Sequence, residues 1–557
     1  MFNKTIDKHL LSNLLQILGI SLLAYVFFTY SFSIIGFWFK LPLIEYSIFA
    51  SLLLIAFFVF KTSKVIYFPP NYIVIILGIF FGIIFLSVFL SQSVYGTAYD
   101  GLTYHREAII QIKEGWNPVY NDVAQEVPTS LWVNHYPKWT WIYSAAHYHV
   151  FNSVEAGKSY QLILCMALFL LSLSTLLSIK NTTLIISLIT SLLICLNPIF
   201  INQIFTYYVD GIIYVLMLII VFSCFQINVN NNNYWWTVLF FSTVLLINTK
   251  FTGIPYYCVI ILGWLTYILA RKGIKQSFIF GIRSFIVLVL AICLFGYDTY
   301  IKNLLDFGHP FYPLYGAQPV DIMTHNTPSI LASFNSFERY FISLFHSVSN
   351  SLNGGMNLKF PFIIDSLDEV SNSIKHDARL SGFGVLFSGI FIISVISLIY
   401  IAMQKKLVYS KFIFTLIIFF LMFSVFIHPE SWWARYTPQM WLFPIIMIFI
   451  LSKLNNKFSQ GIYFSLIMTM LLNSLVIFSG MALKTTLTTI DINKELRELK
   501  TNDSLLYINF SPFYSIRARL QDENIIFQER TAEQLKKCNN LKVLKGSYNK
   551  VTYCYTL

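Results

Sequence analysis

Long runs of apolar residues recur along this chain, each broken by a short polar or basic interruption. A helix that crosses a bilayer needs about 20 mostly apolar residues. Windows meeting that requirement lie near 10–33, 43–60, 71–91, 159–178, 183–201, 211–226, 235–250, 254–270, 280–297, 383–402, 411–428, 436–452 and 460–480, about thirteen by this rule. The first run is too long for the apolar part of a cleaved leader and further runs follow it directly, so it is expected to stay as a helix. Beyond about Lys484 the pattern changes. Charges become dense, short runs at 505–510, 524–527, 542–544 and 551–555 predict strands, and 531–537 predicts a helix.

The expected fold is therefore a polytopic α-helical membrane protein with about 13 transmembrane helices. Residues 1–483 form its membrane module, with long outer loops at 92–158 and 298–382, and residues 484–557 form a small extracytoplasmic α/β domain.

Composition removes the competing classes. Of 557 residues, 56% are hydrophobic and 11% charged, whereas soluble domains carry about 25% charge. A soluble fold, a coiled coil and a disordered chain are excluded. The net charge is +12, which in a soluble protein suggests nucleic acid. Here the surplus sits in alternate short loops: Lys4 and Lys8, Lys61 and Lys64, Lys180, Arg271, Lys272 and Lys275, Lys405, Lys406 and Lys411, Lys453 and Lys457. Basic short loops mark the cytoplasmic side. That puts the N-terminus inside, both long loops and the tail outside, and leaves no nucleic-acid partner to infer. Cys538 and Cys554 fall in the outer tail, where an oxidising compartment permits a disulfide; two free thiols are the alternative.

Charge inside a span is costly and generally functional. These windows hold almost none, which argues against an ion-coupled transporter. Polar residues gather instead at the outer ends. Asp100, followed by Tyr104 and His105, opens an expected interfacial helix as either a cap or a general base. Lys138 sits among aromatics, as a snorkelling anchor or a ligand. Tyr208 and Asp210 precede another span, and Lys250 closes the next outer turn as an anchor or a phosphate ligand. Arg379 ends the second long loop, and Glu430 with two tryptophans precedes Arg435, suggesting a paired guanidinium. Asp210 and His105 are weak candidates for a metal.

In order and sidedness these residues resemble the GT-C superfamily of integral membrane glycosyltransferases. The resemblance spans most of 71–452. It rests on Asp100 with Tyr104 and His105, on Asn197-Pro198 followed by Thr206 to Asp210, on Lys250 to Gly253, on His309 to Pro313, on Arg379 with Gly382 to Gly384, and on Ala434 to Tyr436. The layout is similar to that of aminoarabinose transferases and protein mannosyltransferases. The resemblance implies an inner-membrane enzyme that takes a sugar from a polyprenyl-phosphate-linked donor, such as an undecaprenyl carrier. The acceptor is a glycan, lipid or protein of the cell envelope, lipopolysaccharide included. It implies Asp100 as the catalytic carboxylate. The doubled acidic motif that oligosaccharyltransferases use for a metal is absent, since Ala98 and Leu102 stand at those places. A divalent metal is therefore neither required nor excluded. The remaining readings are an O-antigen polymerase or ligase, which relies on arginine-rich outer loops, and a lipid-linked sugar flippase, which needs charges within its spans.

Overall fold

A computed structural model describes residues 8–42, 44–65, 69–316, 318–404, 408–454, 456–502, 505–538 and 540–555. Lys4, Lys405 and Lys406, and the side chains of Lys64 and Lys411, lie outside what is described. The chain is predominantly helical. Among the described residues, seven helices are long and apolar enough to cross a membrane: Lys8–Phe39, Asn71–Gln92, Val154–Ser178, Asp210–Asn228, Gly253–Lys272, Ile274–Phe295 and Lys457–Lys500. Six shorter apolar helices accompany them, at Ser47–Thr62, Leu184–Cys195, Trp235–Ile247, Phe387–Met403, Phe412–Phe426 and Pro438–Leu451.

The first helix packs along Ser159–Ser178, and both lie near the centre of one continuous apolar core. Facing outward are Leu53, Val74, Phe85, Ile274 and Phe464, all exposed, as expected of helices whose solvent is hydrocarbon.

The basic interruptions meet at one end of this bundle. Lys8 Nζ donates to Thr182 O at 3.4 Å and Lys453 Nζ to Asn181 O and Thr182 Oγ1 at 2.9 Å. Asn230 reaches Ser178 at 3.1 Å, and Lys272 reaches Asn231 at 3.3 Å. The segments that carry Asp100, Asp210, Lys250, Asp377 and Arg435 join the opposite helix ends. The chain's turn chemistry thus sorts its two faces, one basic and one of mixed charge.

The long segment after Gln92 is mostly helical. It contains a π-helical turn at Gly101–His105 continued by Arg106–Lys113, then Ser130–His135 and Trp139–Phe151. The segment before Phe387 carries Ser336–Phe345 and Leu367–Ser373. The expected boundary at 484 falls inside the 44-residue helix Lys457–Lys500. Strands follow it: β1 Leu506–Asn509, β2 Phe527–Glu529, β3 Lys542–Val543 and β4 Thr552–Cys554, in the order β2-β1-β4-β3. β1 runs parallel to β2 and antiparallel to β4, which pairs antiparallel with β3. A short helix Ala532–Leu535 starts from a capping box in which Thr531 and Gln534 exchange bonds. Cys538 and Cys554 are disulfide-bonded, joining the end of that helix to β4.

Candidate active site

Three carboxylates and three cations from five separate segments meet at the mixed-charge end, around Arg435. This arginine sits in a single 3-10 turn, Ala434–Tyr436. Backbone bonds from Ala434 N to Arg379 O (3.3 Å) and Arg435 N to Ala378 O (3.2 Å) fix the turn against the 377–382 segment. The approach is close enough to need a glycine: a Cβ on Gly382 would stand 2.9 Å from that of Ala434. Behind it Leu331, Leu380, Trp432, Trp433 and Tyr436 form a small separate apolar core. The same packing that joins the two loops therefore aims the guanidinium.

Arg435 Nη1 lies 3.3 Å from Asp100 Oδ2 and 3.8 Å from Asp210 Oδ2, and Nε lies 3.2 Å from Asp377 Oδ1. Its plane is enclosed by Trp433, Tyr208 and Tyr436, with centroids at 4.6, 4.9 and 5.0 Å. Burial works against the charge on this guanidinium. The anions of Asp377 and Asp210 outweigh it and hold its pKa above the ordinary arginine value. Among the described residues, Arg435 Nε–H finds no aligned hydrogen-bond acceptor, although Asp377 Oδ1 stands 3.2 Å away as its ionic partner.

Lys250 lies in the tight turn before Gly253–Lys272. A Cβ on Gly253 would come within 2.3 Å of Leu246 O, so that turn requires glycine. Lys250 Nζ donates to Asp210 Oδ1 at 2.7 Å and sits 4.4 Å from the Tyr436 ring centroid. Arg379 bonds Asp377 Oδ2 at 2.9 Å and both the carbonyl and the side chain of Asn326 at 2.9 Å, and it lies over Trp433.

Neither aspartate at a helix start caps its helix. Asp100 makes no capping bond. At the other start, Gln203 Oε1 accepts the Gly211 N–H at 2.8 Å, which leaves the Asp210 carboxylate to Lys250. The two carboxylates are held differently. Asp210 is 3% exposed and bound at 2.7 Å, whereas Asp100 is 25% exposed with one contact at 3.3 Å. Asp210 is thus a fixed counter-ion and Asp100 the more available carboxylate.

Burial raises the Asp100 carboxyl above the usual aspartate value of 3.8; the Arg435 charge opposes this, and Asp377 and Asp210 reinforce it. A base whose pKa is raised works only above that raised value. The acid limb of kcat/KM is therefore expected above 3.8. Activity is retained at higher pH and lost as pH falls through the limb. A pH–rate profile checks this, and activity that stays flat down through pH 3.8 would remove Asp100 from the base role.

The π turn changes the sequence geometry around Asp100. In an α-helix a five-residue spacing leaves Asp100 and His105 off one face, but a π turn is wider. His105 is buried, with its pKa drawn down to about 3 by burial. Trp141 Nε1, which can only donate, reaches His105 Nδ1 at 2.7 Å, so the neutral ring carries its proton on Nε2. Tyr104 is half-buried nearby, against Tyr136 and Trp141.

Not every predicted site residue joins the cluster. Lys138 is buried 3.2 Å from Asp298 and donates to the carbonyls of Asn134 and Tyr136 at 2.8 and 2.9 Å, so it ties a loop together. Glu430 accepts from Trp432 Nε1 and lies 3.8 Å from Arg339. Arg435 is thus paired, but with Asp100, Asp210 and Asp377 rather than with its chain neighbour. Asp377, Trp433, Tyr436 and Gln203 are additions that sequence reasoning did not single out as site residues. For Asp377 the one available signal was its place two residues before Arg379. Among the described residues, no group of three His, Cys, Asp or Glu is arranged to hold a metal ion. Asp210 and His105 do not form one. Comparisons with family models, with curated proteins and with solved structures give no match.

Proposed function

We propose that this chain is a membrane glycosyltransferase that moves a sugar from a polyprenyl-phosphate-linked donor to an acceptor hydroxyl on the extracytoplasmic face. The observation that carries the reading is the Arg435 hub: a buried guanidinium shared by three carboxylates, with the partly exposed cation of Lys250 beside it and one loosely held carboxylate, Asp100. About thirteen spans with an inside N-terminus make this end the outer one, in an inner membrane, with 484–557 as its outer domain. The clustering of Lys8, Lys272 and Lys453 at the far end supports that orientation.

The chemistry needs two services. Asp100 takes the proton of the acceptor hydroxyl as its oxygen attacks the anomeric carbon. The bond from that carbon to the phosphate oxygen breaks, and the phosphate leaves with the electron pair. Arg435 and Lys250 neutralise it, with Arg379 holding Asp377 and Trp433 in place behind. Direct displacement inverts the anomeric centre. A glycosyl phosphate is already activated, so no second carboxylate is needed to activate water. The bundle's apolar faces would carry the isoprenoid chain.

Reconstitution tests this directly. Purified protein in liposomes is supplied with polyprenyl-phosphate sugars and an envelope glycolipid extract. Free polyprenyl phosphate is expected to accumulate only when both are present. Release of none, with every donor in a mixed pool, would sink the proposal.

A further inference from the structure

The C-terminal sheet packs beside the segment that carries Asp100. That unit is tied firmly to the segment carrying Asp100. Ser515 Oγ donates to Leu102 O at 2.6 Å, and Arg517 makes two bonds to the Glu107 carboxylate at 2.5 and 2.7 Å. Asp522 accepts from the Tyr148 hydroxyl at 2.6 Å and from Val154 N at 3.0 Å. Leu102 itself belongs to the apolar core formed by Ile492, Leu496, Ile508 and Phe513. A Cβ on Gly546 would come within 3.2 Å of the Thr97 methyl. The turn that follows Gly546 is therefore held in place relative to Asp100.

This turn presents Tyr548. Its backbone is left-handed at Tyr548 and Asn549, with φ of 51° and 58°. The Tyr548 ring meets Tyr99 edge-on at 5.8 Å, and Phe513 backs both, at 5.7 and 5.2 Å. Phe513 is fully buried, while Tyr99 and Tyr548 are 49% and 50% exposed. Tyr99 directly precedes Asp100 in the chain. Burial, then the nearby charges of Asp100 and Asp377, push the Tyr548 phenol up to about 12. Two half-exposed tyrosines, rigidly backed and set steeply to one another, form an angled aromatic surface next to Asp100.

We infer that Tyr99 and Tyr548 form a pyranose platform that binds the acceptor glycan and delivers its hydroxyl to Asp100. A pyranose ring has an apolar C–H face, which gains by covering an aromatic ring, and a rim of hydroxyl donors, which suits carboxylates. The assignment of this sugar to the acceptor rests on the proposed transfer reaction; binding itself does not require turnover.

The test uses full-length protein in nanodiscs and saturation-transfer NMR with glucose, galactose, mannose and N-acetylglucosamine as probes. Saturation of ring C–H protons is expected for at least one of them. Tyr548→Asn removes the ring yet suits a left-handed turn, and is expected to weaken that binding about tenfold, equivalent to roughly 1.4 kcal/mol. Tyr548→Phe keeps the ring and should bind as the parent does. Tyr99→Ala should lose binding as Tyr548→Asn does, with thermal melting of all variants confirming the fold. No saturation of any probe, unchanged binding in Tyr548→Asn, or equal loss in Tyr548→Phe would each overturn the platform. Sugar binding without any transfer from a polyprenyl donor would leave the platform standing and remove the enzymatic reading instead.

Discussion

Asp100→Asn is expected to reduce sugar transfer by about 10²–10⁴-fold, the range associated with loss of a positioned general base. The amide is nearly isosteric, can still accept from Arg435, and cannot take a proton. Folding should survive, because Asp100 makes no capping bond and has one 3.3 Å ionic contact. Transfer from a purified polyprenyl-linked donor is the measurement, with membrane insertion and thermal melting as controls. Full activity in this variant would end the assignment. The matching change at Asp210 should behave differently: Asp210→Asn removes the buried partner of Lys250 and Arg435, so stability and donor binding should fall together.

Removing the hub has the second large effect. Arg435→Ala leaves Asp377, Asp210 and Asp100 facing one another with one cation fewer. Breaking a buried ion pair by deleting one partner costs about 3–5 kcal/mol. Donor affinity should fall as well, since one of the cations proposed to meet the phosphate is lost. Stability and binding can be separated with a double variant. Arg435→Ala with Asp377→Asn removes one of the uncompensated charges, so thermal stability should partly recover while donor binding stays lost. Unchanged donor affinity in Arg435→Ala would return this residue to a purely structural role. Arg435→Lys should not rescue, because a point charge cannot face three carboxylates and also stack on Trp433, Tyr208 and Tyr436.

Much of the fold was legible because a bilayer imposes length and apolarity on each helix. The apolar windows near 10–33, 71–91 and 254–270 coincide with the helices Lys8–Phe39, Asn71–Gln92 and Gly253–Lys272. The tail's alternating runs near 505–510 and 551–555 coincide with β1 and β4. The boundary at 484 was placed by composition, and composition does not say where a helix stops: Lys457–Lys500 continues past its apolar portion into charged sequence. Within the site, Asp100, Asp210, Lys250 and Arg435 stood out because each is a charge at an apolar helix end. Lys138, set among aromatics, and Glu430, beside two tryptophans, were singled out too and proved to be paired elsewhere, with Asp298 and Arg339.

What the sequence determined by itself is the membrane class, the places of the long apolar helices and the short inventory of charges available at one face. Those follow from one-dimensional properties, apolar run length and local charge, that each segment carries alone. Tertiary structure decided which charges meet. Asp100 and Arg435 are 335 positions apart, and the cluster around them is set by Gly382 lying against Ala434 behind Arg435, Gln203 taking the Gly211 N–H beside Asp210, and Gly253 closing the Lys250 turn. The first is a steric condition between separate segments, and the other two shape single turns whose ends must then be brought to the same place. No local pattern encodes such a condition, so only the packed chain could show that three carboxylates share one arginine.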